Sequence, residues 1–228
     1  SYGTQLFWPF TDERISWNNI SVVDPLLSVP VIIFIIISIL KKNKFVTFFG
    51  VFYIILYLGI GVVQENRAEK LGKLIANMRG HESKRLTVKP SLGNLFLWKS
   101  IYEDNGFYYV DAVRLLSKLE YCQGTKIKKL DTSNNFMGLN QNSQQYKDIE
   151  RFNWFSQGYL GVGTQKNIIT DVRYSAVPNE VDGLWGIQIN PSKKNSEHVD
   201  WVVNRTSYKA KWKRFLDLLL GKGCKEIT

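Results

Sequence analysis

At 228 residues with a net charge of +10, the chain is long enough for one domain with its own core in addition to any membrane segment. Of its 30 basic residues only Arg14, Lys41, Lys42 and Lys44 precede position 65, so the surplus sits in the C-terminal part. There it suits anionic lipid headgroups, nucleic acid or a merely solvated surface. Two cysteines far apart, Cys122 and Cys224, decide nothing about redox compartment.

The chain opens on SYGTQLFWPF, without Met, which reads as a processed chain or a fragment. Residues 1–21 hold Tyr2, Phe7, Trp8, Phe10 and Trp17 and are expected to form an aromatic interfacial segment, rings at headgroup depth. Residues 22–64 are expected to form a hairpin of two transmembrane helices. Leu26 to Leu40 and Phe45 to Val63 carry no charge, and a span needs roughly 20 apolar residues. Lys41, Lys42 and Lys44 mark a water-facing turn between them. Asp24-Pro25 is a helix-start signature in which Asp caps free N–H groups, although an ionisable group at that depth is also a functional candidate.

The second span is expected to continue as an amphipathic helix over residues 65–80. Ala68, Leu71, Ile75 and Met78 share one face, and Gly80 is the stop. Residues 81–228 read as an α+β domain with an antiparallel sheet. Glu103-Asp-Asn-Gly106 between two apolar runs predicts a hairpin, and the polar stretch 131–145 predicts a long loop. Tyr146 to Phe155 predicts a short helix. Further strands are expected at Ile168–Tyr174, Leu184–Ile189 and Val199–Val203, then a last helix from Ser207 to Leu220 with Tyr208, Trp212, Phe215, Leu216 and Leu219 on one stripe. The fold class is thus a membrane helical hairpin plus a soluble α+β domain.

Site signatures are sparse. No glycine-rich phosphate loop, HExxH, paired CxxC or nucleophile elbow is present. His81 and His198 are the only histidines, both expected at the surface, and two isolated histidines do not make a self-sufficient zinc centre. Asp171 and Arg173 share a strand face and predict an ion pair beside Tyr174. Trp98, Trp154, Trp185, Trp201 and Trp212 fall at period-matched positions and read as core, which disfavours base stacking and with it nucleic acid. Asn19-Ile-Ser21 and Asn204-Arg-Thr206 fit a glycosylation triplet that often arises by chance.

The segments SYGTQLFWPFTDERISW, VVDPLL, TVKPSLGNLFLWKSIYE, GFYYVDAVR, FNWFSQGYL and DVRYSAVPNEVDGLWGI, in that order and covering almost the whole chain, resemble the C-terminal part of the YdjM-like membrane-bound metal-dependent hydrolases. The resemblance implies a bacterial or archaeal cytoplasmic-membrane protein and a divalent metal, zinc by analogy, whose His/Asp motifs lie ahead of the SYGTQ segment. No metal ligand carries onto this chain. It further implies phosphoester or lipid-like substrates at the membrane surface, with Asp12, Arg14 and Asp24 as the expected site-lining residues on position alone. The alternative is a non-enzymatic anchored module that binds a protein partner or anionic lipid headgroups. The lysine turn favours an extracytoplasmic C-terminal domain, since short basic loops stay in the cytoplasm.

Overall fold

The computed structural model describes residues 2–163, 167–204 and 208–227. Its backbone is a helical hairpin whose second arm runs on into a two-sheet domain. Helix α1 (Pro25–Lys41) starts as the sequence requires. Asp24 is buried, and its Oδ1 accepts from the Leu26 and Leu27 amides at 3.1 and 3.3 Å. Tyr57 OH donates to the same carboxylate, 2.8 Å from Oδ2, so the cap also locks α1 to its neighbour.

Helix α2 (Lys44–Met78) is a single rod of 35 residues, capped by Asn43, about 52 Å long at the usual rise. It is long and apolar enough to cross a membrane. Helix α1, at 17 residues and about 25 Å, is apolar but shorter. Where the arms touch, Gly50 lets Phe34 approach, and Ser38 and Thr47 hydroxyls meet at 2.6 Å. Outward, Ile32, Ile36, Phe48, Phe52 and Ile55 are exposed. Such a continuous apolar surface belongs in lipid rather than water.

At Gln64 the same helix enters the domain. Gln64 Nε2 donates to the Leu95 and Leu115 carbonyls at 3.1 and 3.0 Å, so its buried amide is satisfied by two loops of the sheet. Beyond it Ala68, Leu71 and Ile75 are buried against Val88, Trp98, Val113 and Leu115. Met78, expected on that face, is exposed. The helix ends with Gly80 at φ +69°, where its last carbonyls meet turn amides. Arg79 grips Asp111 with two bonds of 2.7 and 2.8 Å, fixing this end of the helix to the sheet.

The expected single sheet is two. The first comprises β1 (Arg85–Pro90), β2 (Leu97–Asp104), β3 (Phe107–Leu115) and β4 (Leu119–Cys122), with β5 (Lys126–Lys128) on β3 and β10 (Lys225–Glu226) on β4, every pair antiparallel. The β2–β3 turn has Asn105 and Gly106 both at positive φ, which the Asn-Gly dipeptide supplies cheaply. The second sheet is β6 (Leu160–Val162), β7 (Ile168–Asp171), β8 (Trp185–Gln188) and β9 (Asp200–Val203). Helix α3 (Thr132–Asn135) is a single turn inside the stretch expected to be a loop, and α4 (Gln144–Phe155) follows. Helix α4 packs Ile149 and Phe152 on the second sheet.

Helix α5 (Tyr208–Leu219) buries Phe215 and Leu218, leaving Tyr208 and Trp212 exposed. The stripe is therefore shifted from the one expected, and Ser207, the expected start, lies outside the described residues, as does part of the Asn204–Thr206 triplet. Of the tryptophans read as core, only Trp98 is; Trp154, Trp201 and Trp212 are exposed. Trp201 sits on the edge strand β9, where its ring meets Phe152 edge-on. Cys122 and Cys224 form a disulfide between β4 and the residue preceding β10.

Candidate functional site

Strand parity builds the site. On β2, Trp98, Ser100 and Tyr102 face α2, so Leu97, Lys99 and Ile101 face the other way, toward residues 171–181. Lys89 on β1 is the register partner of Lys99, which puts two lysines side by side on a buried face. Like charges opposite one another destabilise a sheet, and burial adds a larger penalty.

Each lysine is held by neutral oxygens. Lys99 Nζ donates to Ser175 Oγ at 2.7 Å and to the Glu180 carbonyl at 2.6 Å. Lys89 Nζ donates to Asn18 Oδ1 at 2.7 Å and lies over the Tyr174 ring. Burial drives the Lys99 ammonium down to about 7, although Asp171, Glu180 and Asp182 pull the other way. Burial, with Arg173 nearby, brings Lys89 to about 8.

Beside them Arg173 pairs with Asp171, both buried; the ion pair is the expected one, but β7 stops at Asp171 short of the expected Tyr174, so Arg173 reaches back from the turn that follows the strand. Nε meets Oδ1 at 3.0 Å and Nη2 meets Oδ2 at 2.7 Å. The guanidinium also donates to Gln157 Oε1 at 3.0 Å and packs on Tyr2, Tyr159 and Tyr174. Tyr2 thus leaves the interfacial role expected of residues 1–21. Its ring meets Tyr174, Trp185 and Phe155, its hydroxyl accepts from Trp185 Nε1, and burial raises its ionisation above the ordinary tyrosine range. Phe7, Trp8, Phe10 and Trp17 of the same segment are exposed. Tyr174 is pushed up to about 12 by burial.

Of the three residues expected to line a site, Arg14 reaches this junction. Its guanidinium closes the N-terminal loop onto the Tyr2 and Gly3 carbonyls at 3.1 and 2.9 Å, and its own carbonyl accepts from Gln157. Asp12 is exposed, near Gln5, and Asp24 is the α1 cap. The three are held by different partners. Sequence reasoning missed Tyr2, Lys89, Lys99, Gln157 and Ser175. A signal existed in LFLWKSIYE, where Lys99 takes the parity of Leu97 and Ile101.

No group of three or more His, Cys, Asp or Glu among the described residues is placed to hold a metal ion. His81 packs at a tilt against Tyr109 and bonds Tyr102 OH; His198 meets Asp148. The divalent metal implied by the resemblance finds no ligand set among the described residues.

A long lipid-facing helix fused to a domain defines a membrane-associated protein. Residues 1–68 match the YdjM inner membrane protein family, which supports a cytoplasmic-membrane location. The matched residues take in the N-terminal segment, the hairpin and the entrance of α2 into the domain. No curated protein and no solved structure matches.

Proposed function

We propose that the chain is the anchored, outward-facing part of a YdjM-type hydrolase, holding its C-terminal domain on the outer face of the cytoplasmic membrane against phosphoester or lipid-like substrates. Both arms of the hairpin cross the bilayer in this reading, with the lysine turn in the cytoplasm. The observation that carries the sidedness is the Cys122–Cys224 disulfide, because such bonds persist outside the reducing cytosol. Seating on the bilayer is supported by the loops around the point where the helices emerge. Leu92, Phe96 and Leu116 are exposed there, beside contacts from Gly93 N to the Val23 carbonyl and from Arg67 to the Leu116 carbonyl.

A binding module without hydrolase activity is the second reading, favoured by the in-chain partners that Arg173, Asp171 and Lys89 already have. Alkaline phosphatase fused after Thr228 tests the sidedness and is expected to be active, with green fluorescent protein at the same place dark. A bright fluorescent fusion overturns the outward assignment. Metal-stimulated phosphoester hydrolysis by the full-length protein separates the enzyme from the binding module.

A further inference from the structure

Between the two arms of the hairpin lies a cleft of about 440 Å³, lined by Phe34 and Ile37 of α1 and by Val46, Phe49, Tyr53 and Leu56 of α2. Its one polar side chain turns away, the Tyr53 hydroxyl donating to the Leu26 carbonyl. Nothing in the cleft offers a hydrogen bond, so hydrocarbon is what it suits. Val46 to Leu56 covers about 15 Å of helix at the usual rise. The hydrocarbon core of a bilayer is about 30 Å thick, so the cleft is as long as one leaflet is deep.

One end of the cleft is charged. Val46 and Ile37 stand within a few residues of the turn that carries Lys41, Lys42 and Lys44, all three exposed. Lys42 has φ +47°, so the chain reverses between the arms over Lys42 and Asn43 and the three ammonium groups crowd into one turn. No Asp or Glu stands between Asp24 and Glu65, and Asp24 caps the opposite end of α1, so no carboxylate of the hairpin offsets them.

We propose that the cleft and the lysine turn together hold one anionic phospholipid, an acyl chain along the cleft and the headgroup phosphate on the lysines. The cleft alone would suit a packed helix as well as a chain of lipid. The charge decides between them, because a phosphate at the depth of the turn meets three cations that a neighbouring helix would leave unanswered. The site lies at the other end of the hairpin from the domain. It rests on both arms lying in the bilayer, as in the function proposed above, but not on the side the domain faces nor on hydrolysis.

The test is native mass spectrometry of the full-length protein released from nanodiscs of dioleoyl-phosphatidylglycerol and dioleoyl-phosphatidylcholine in equal parts. Both leaflets have the same composition, so orientation does not enter. One phosphatidylglycerol is expected to stay bound, in at least about tenfold excess over phosphatidylcholine. The combined Lys41→Gln, Lys42→Gln and Lys44→Gln variant is expected to bring the two lipids to parity. Val46→Phe fills the cleft from α2 and Ile37→Phe fills it from α1, with every lysine in place; each is expected to cut retention at least about tenfold. Both add only apolar volume at the lipid-facing surface and should fold, which thermal unfolding checks. No retained lipid on the parent, equal retention of the two lipids, or retention unchanged in both cleft variants overturns the site, the last by showing diffuse attraction to the turn. A chain that stays out of the nanodiscs fails the anchoring and this site with it, whereas a bright fluorescent fusion leaves the site untouched.

Discussion

Lys99 and Lys89 couple protonation to folding in an unusual direction. In the unfolded chain both lysines hold their proton up to about 10.5; folded, they let go near 7 and 8. Between those limits the unfolded state binds more protons, so stability rises with pH; below about 7 both states are protonated and the full burial penalty stands. The melting temperature of the detergent-solubilised protein is therefore expected to climb from pH 7 to pH 9. Lys99→Met should flatten much of that slope and raise the value at pH 7. A slope unchanged by the substitution would mean that Lys99 keeps its proton. The pair was hidden in sequence because a lysine in a strand ordinarily points to solvent. Only the register of β1 on β2 shows two of them on the covered face.

Among elements, α2 does the work of two. Its first turns are apolar on every side, and its last turns are apolar only where they touch the sheet. Both textures were legible: the uncharged run to Val63, then the spacing of Ala68, Leu71 and Ile75. Legible too was the Asn105-Gly106 turn. The second sheet was harder, since Leu160–Val162 is three residues long and gives alternation too few positions to register. The junction was legible only in part: the Asp171–Arg173 pair could be read from their spacing, but nothing local tells that Tyr2 meets Trp185 across most of the chain's length. Because α2 is unbroken, inserting one alanine after Gln64 turns everything beyond it by about 100°. Leu71 and Ile75 would then leave the sheet. Limited proteolysis of membranes carrying this variant should degrade the domain while the hairpin remains embedded; a protease-resistant domain would contradict the rigid connection.

At the scale of the whole molecule, the disulfide ties the C-terminal strand β10 to the sheet across 102 residues. A loop of that length restricts the unfolded chain by about 4–5 kcal/mol in the chain-entropy account. Replacing both cysteines with serine should lower stability toward that amount and free β10, seen as faster amide exchange at Ile227. The bond also buries Cys122 beside Phe215 and Leu218, so α5 should loosen with it.

Because the far end of α2 supplies one wall of the domain's interior, a cut at the end of that helix would open the interior to water. An excised piece beginning at His81 would bare Val88, Trp98 and Val113 and stick to its neighbours, so a domain fragment has to keep Ala68 to Ile75. The place to divide the molecule is therefore inside α2, ahead of Ala68, and not at the loop that follows the helix.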